Sequence, residues 1–367
     1  MQKLFSLTIV QVAVIASSLM FIQSCKPEVD GPQYDVPTTY NFTNVSYSGQ
    51  TFRLDMLGEM SAYLKTANTS GVILDAQKLK DMFVNTNDQF TGTGLNASGK
   101  QLKNKCFTPD VVVFEGYFDA IALASESTVA GSDGVAGVVT STTDETKKYL
   151  LNENGFEYTQ LIEKGLMGAV FYYNAAAVYL GEEETGDDVD NTTIAAGEGT
   201  PMEHHWDEAF GYFGVPVDFP GNIAGIRYWG KYCNDRNTLL NTNAIIMNAF
   251  LKGRAAISNK DMETKNEQIP VIRDYWEKVS AATALHYLNG AKASFNDDAI
   301  RNHELSESVA FVKALKYNPT KKITDSEIQQ ILDHIGDNLY QVTSADIDNA
   351  RNLLSTIYGM DDIKDTL

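Results

Sequence analysis

Cysteine is scarce in this 367-residue chain, which has three: Cys25, Cys106 and Cys233. So few exclude a disulfide-stapled mini-scaffold and a cysteine-rich metal ribbon. Basic charge is short as well, with Lys+Arg 29 against Asp+Glu 48 and a formal net charge of −19. A surface this acidic repels phosphate, so no nucleic acid is expected as a partner and anionic lipid headgroups are poor ones. Beyond the N-terminus, no apolar run reaches the roughly 20 residues that cross a bilayer as a helix. Alternating apolar–polar strand patterns are scarce, and neither a short-period repeat nor a glycine-rich phosphate loop occurs. What is present suits a large core: 43% hydrophobic and 21% charged residues, an ordinary globular balance.

The N-terminus reads as an address. Lys3 precedes an apolar run from Leu4 to Phe21, which ends Ile22-Gln23-Ser24-Cys25. A positive end, an apolar stretch and a small residue before the cut describe a secretory signal over residues 1–24. An aliphatic residue three before a cysteine resembles the bacterial lipobox, which implies that Cys25 is lipidated and becomes the mature first residue. Lys26-Pro27-Glu28-Val29-Asp30-Gly31-Pro32 then reads as a hydrophilic tether, with residues 25–50 as tether and extended segment. Its charges resemble the surface-export signal of Bacteroidota-type lipoproteins. The expectation is an outer-membrane lipoprotein, facing periplasm or cell surface. Cys106 and Cys233, far apart in sequence, read as separate buried thiols.

From residue 51 to 367 nearly every signal is helical. Apolar positions recur three and four apart over 52–64, Asp75 caps a short second helix, and 108–125 reads as a buried helix opened by Thr108-Pro109. Residues 85–105 and 127–145 read as loops. The longest apolar helix is expected at 157–180, surrounded by others because its apolar residues cover most of its circumference. Further helices are expected at 238–257, 267–289, 297–316, 324–340 and 343–357, the last two opened by capping boxes. The fold class is all-α, a helical bundle or two packed bundles. Glu182-Glu183-Glu184 with Asp187, Asp188 and Asp190 lacks calcium-loop spacing and reads as a solvated insertion.

Chemistry is concentrated at Thr200-Pro201-Met202-Glu203-His204-His205-Trp206-Asp207-Glu208. Thr200 and Glu203 form a capping box and Pro201 takes the first helical position, so the helix start is well specified. Residues three and four apart share a face, which makes His204 and His205 neighbours of Glu208. Imidazole beside carboxylate suits a divalent metal such as iron or zinc, and two or three ligands need completion from other helices. His286, His303 and Glu157 are the candidates for that completion. The alternative is that the same polar groups satisfy one another inside the bundle. The zinc-protease helix motif is absent, because the two histidines are adjacent rather than four apart. Arg254 and Arg273 could neutralise buried carboxylates, although surface display is the ordinary state of arginine.

His205-Trp206-Asp207-Glu208 resembles the end of the GxHxxE motif of imelysin-like proteins, with Glu203 standing where that motif has glycine. Those are helical, iron-regulated envelope lipoproteins once labelled peptidases. Leu57-Gly58-Glu59-Met60, His204 to Gly214, Gly253-Arg254-Ala255-Ala256-Ile257 and His286-Tyr287-Leu288-Asn289 are similar to an uncharacterised family of Bacteroidota lipoproteins related to them. The resemblance implies an envelope protein of iron or haem handling, with His205 and Glu208 as the transferred positions. Three functions follow as expectations. The first is a non-catalytic lipid-anchored protein binding a metal or metal-bearing ligand. The second is a metal-dependent hydrolase using His205 and Glu208. The third is an accessory subunit of an outer-membrane uptake system with no small-molecule site.

Overall fold

The computed structural model describes residues 34–367, and these form one unit with one continuous core rather than two bundles. The signal segment, Cys25 and the tether to Pro32 lie outside the described residues. Twelve α-helices and one hairpin occur among residues 34–367. Helix α1 (Ser48–Lys65) is followed by α2 (Ala76–Val84) and α3 (Val111–Ser125). Strands β1 (Gly137–Thr140) and β2 (Lys148–Leu151) then pair antiparallel, with Val138 opposite Leu150. Next come α4 (Tyr158–Leu166), the short α5 (Glu182–Thr185), α6 (Pro201–Phe213), α7 (Tyr228–Leu240) and α8 (Thr242–Ser258). The long α9 (Met262–Ala293) packs between α8 and α10 (Asp298–Ala314), and α11 (Asp325–Ile335) with α12 (Ser344–Tyr358) completes the chain.

The all-α expectation holds, and all three capping boxes form at Thr200, Thr324 and Thr343. Several boundaries differ for physical reasons. The segment before α1 is more than a tether, because Tyr40 is 1% exposed and its backbone N–H donates to Val217. Helix α1 starts at Ser48, where the Tyr47 carbonyl accepts from the amides of Gln50 and Thr51. The helix expected at 238–257 is two, since Asn241 adopts φ +53° and breaks α7 from α8. The hairpin falls where the sequence reads loop, because strand pairing depends on a partner rather than on a local period.

The central helix is the least ordinary element. After Leu166 it widens into two consecutive π-helical turns, Met167–Tyr172 and Asn174–Tyr179. Widening leaves carbonyls with capacity to spare, and groups from elsewhere use them. Trp229 Nε1 donates to Met167 O at 2.8 Å, and the Phe107 amide to Ala169 O at 2.9 Å. Arg273 donates to Ala176 O at 2.8 Å and Leu180 O at 2.9 Å. Arg273 is therefore a helix cap, not a surface charge. π turns cost regular hydrogen bonding, and where they persist they commonly shape a functional site.

Candidate functional site

The capping box fixes where α6 starts and therefore which way its side chains point. Thr200 Oγ1 accepts from the Glu203 amide at 3.3 Å, and Glu203 returns the bond to the Thr200 amide at 3.0 Å. Trp206 and Asp207 then turn inward and are fully buried, while His204, His205 and Glu208 keep 26%, 24% and 18% side-chain exposure. The inward face is structural. Asp207 meets Arg254 Nε at 2.8 Å, and Arg254 Nη1 reaches Glu203 at 2.7 Å, so Arg254 is a buried counter-charge with no exposed surface.

The opposite face is partly exposed. His205 Nδ1 lies 2.8 Å from the Glu184 backbone oxygen and 2.8 Å from its carboxylate. Both partners only accept, so Nδ1 carries a proton, and in the neutral ring the lone pair is on Nε2. That nitrogen has no protein partner and is not sealed from solvent. Glu208 accepts from Gln50 Nε2 at 2.7 Å, and its other oxygen is 3.8 Å from His204 Nε2. The π turns deliver Tyr179 to the same point. Its hydroxyl faces Glu208, and burial together with Tyr212 and Glu208 pushes its ionisation well upward. Lys105 lies over the Tyr179 ring at 4.9 Å; burial lowers its pKa, while Glu208 and Glu184 oppose the shift.

Two polar atoms here are orphaned. His204 Nδ1 and the hydroxyl of the wholly buried Tyr212 have no hydrogen-bond partner. The Tyr212 ring stacks 6.1 Å from Tyr179 and 5.4 Å from Phe171. Buried polar atoms without partners are costly, and in a native fold they call for an explanation. The acidic stretch read as a solvated insertion belongs to this arrangement. Glu184 holds His205, Thr185 is buried, and Asp187 lies 3.1 Å from the fully buried Lys265 amine.

The other candidate ligands stand elsewhere. Glu157, fully buried, stands at the N-cap position of α4, and its carboxylate is 2.5 Å from His303 Nδ1. His303 Nε2 faces Glu307 at 3.8 Å and its ring stacks on Tyr149 at 4.1 Å. Burial disfavours the charged ring, yet Glu157, with Glu307 and Glu304 behind it, holds the His303 pKa up at about 9. The imidazolium has no lone pair to offer a metal. From there an ion network runs Glu307–Lys164 at 3.3 Å and Lys164–Glu163 at 2.9 Å to Lys65. His286 is half-buried against Arg236 and the C-terminal Leu367, and burial lowers its pKa. Donors from several helices are thus not pooled around His205, because Glu157 and His303 neutralise each other. Among the described residues, no three His, Cys, Asp or Glu side chains are grouped as a metal ion requires. Cys106 and Cys233 are separate buried thiols.

The helical body just described, residues 37–361, matches the family described as Domain of unknown function (DUF4856). The chain belongs to that family. No curated protein and no solved structure matches it. Within the DUF4856 chain, sequence reasoning located His204, His205 and Glu208 but missed Gln50, Lys105, Tyr179 and Glu184. Tyr179 had no readable signal, because its placement depends on the π turns. Gln50 and Lys105 lie far away in the chain and enter only through packing.

Proposed function

We propose that the protein is a non-catalytic, lipid-anchored binding protein of the cell envelope, holding a metal-bearing ligand against the His205–Glu208 face of α6. The observation that carries this reading is the His205 tautomer. Nδ1 is committed to Glu184, which leaves Nε2 as an oriented donor, and a second bond of this kind is how metal-binding imidazoles are usually held. A bare ion does not fit these side chains, since no three donors converge. A metal already held by a small chelator needs only one or two protein donors, which His205 and Glu208 supply. Gln50 and Tyr179 hold the Glu208 carboxylate in place, and Lys105 beside them offers one positive charge to the chelator's oxygens. The lipid anchor rests on the Cys25 segment. The iron or haem setting, beside an outer-membrane uptake system, rests on the imelysin-like strings.

Binding of ferric citrate to protein purified without a histidine tag tests the reading, with zinc chloride as the bare-ion control. The expected result is saturable ferric citrate binding that falls at least tenfold in Glu208→Ala and His205→Ala. No binding in the parent, or binding untouched by both substitutions, overturns the site. Chelator-sensitive peptide turnover would instead favour the hydrolase reading.

A further inference from the structure

A second site lies away from α6, in a cavity of about 340 Å³ walled by α3, α4, α10 and α11. Its interior is apolar and aromatic, built by Phe114, Tyr117, Leu161 and Tyr317, with Ile328 and Leu332 of α11 on the far side. Gly165 keeps it open. A Cβ there would meet the Phe114 ring at 2.8 Å, so any larger residue would displace that ring from its wall position.

Four charged side chains line the cavity: Asp110, Lys313, Lys316 and Asp325. Both acids are already matched. Asp110 lies 2.8 Å from Lys316 and accepts from the Tyr317 hydroxyl, while Asp325 lies 3.2 Å from Lys321. Lys313 has no carboxylate within ion-pair distance among the described residues. Its Nζ meets only the Tyr117 hydroxyl, at 3.3 Å. In a chain with 48 acidic against 29 basic residues, an unmatched, half-buried ammonium on an apolar cavity is against the trend. A cavity of this size, mostly apolar with one placed charge, has the composition of a small-molecule site.

We propose that this cavity binds a small amphipathic monocarboxylate. Its apolar body lies against Phe114, Tyr117 and Leu161, and its carboxylate accepts from Lys313 Nζ in a charge-assisted hydrogen bond. The site is independent of the His205–Glu208 face of α6 and does not rest on the reading given to it.

Calorimetric titration of the whole protein with decanoate tests the proposal, with decylammonium as a probe of equal tail and opposite head. Saturable decanoate binding is expected, with decylammonium at least tenfold weaker. Lys313→Gln should weaken decanoate at least tenfold, Lys313→Arg should keep it within about threefold, and Glu208→Ala should leave it unchanged. Absence of decanoate binding at millimolar concentration overturns the proposal. So does equal binding of the two probes, which reads on the parent protein whether or not a variant folds.

Discussion

Arg254 Nε donates to Asp207 Oδ1 at 2.8 Å, and neither side chain has any exposed surface. The pair joins α8 to α6 from the inside, with the Tyr40 hydroxyl adding a bond to Asp207 at 2.8 Å. Burial pushes the Asp207 carboxyl up to about 6 even with Arg254 and Tyr40 opposing the shift. The helix that carries His205 and Glu208 is therefore held by a desolvated charge pair at Asp207, two residues after His205 and one before Glu208.

Removing one member of that pair leaves the other buried without compensation. Asp207→Ala should lower unfolding stability by about 3–5 kcal/mol in urea denaturation. Thr200→Ala, which removes the cap and the hydroxyl's bond to Asn191 Oδ1, should cost about 1–2 kcal/mol. Equal losses for the two would show that Arg254 is not dependent on Asp207.

Gly253 sits where a Cβ would lie 2.0 Å from the Trp206 ring, a contact no side chain can make. The indole cannot retreat cheaply, since its Nε1 donates to Phe250 O at 3.0 Å and it is fully buried. Gly253→Ala should destabilise by about 1–3 kcal/mol through overpacking, outweighing alanine's better helix propensity. A melting temperature at or above the parent's would refute the close contact.

Stability should fall as pH rises through the neutral range into mild alkali. His303 is held at about 9, above its ordinary 6.5, so its contribution is complete below 6.5 and lost as pH passes 9. Glu304 acts in the same direction, since burial and Glu307 raise it from 4.5 to about 7 despite His303 and Lys147. The His303 share is on the order of 3 kcal/mol. Denaturation midpoints from pH 6 to 10 check the slope, which His303→Gln should flatten.

Tyr179→Phe keeps the ring on Tyr212 and under Lys105 but removes the hydroxyl that faces Glu208. Ferric citrate affinity should drop by about three- to tenfold with stability changed by less than about 1 kcal/mol. A large loss of stability with unchanged affinity would assign Tyr179 to the core alone.

Local chemistry carried much of this into the sequence. The capping boxes at Thr200, Thr324 and Thr343 pin helix starts through bonds three residues long, so they were readable and they formed. Periodicity separated α9 and α10, and the crowding of two of five histidines at 204 and 205 marked the polar face of α6. The hairpin at 137–151 was not readable, because it is decided by what lies across from it, whereas the break at Asn241 is a local left-handed turn that leaves the apolar period unmarked.

By itself the sequence determined an acidic all-α body, the start of α6, and an imidazole–carboxylate pairing on its first turns, all consequences of bonds and periods within a few residues. Only the tertiary structure decided which groups meet. It gave Glu184 to His205, Glu157 to His303 and Arg254 to Asp207, brought Gln50 and Tyr179 to Glu208, and widened the central helix to do so. Those choices depend on desolvated charges finding partners from anywhere in the chain, and no local window contains that information.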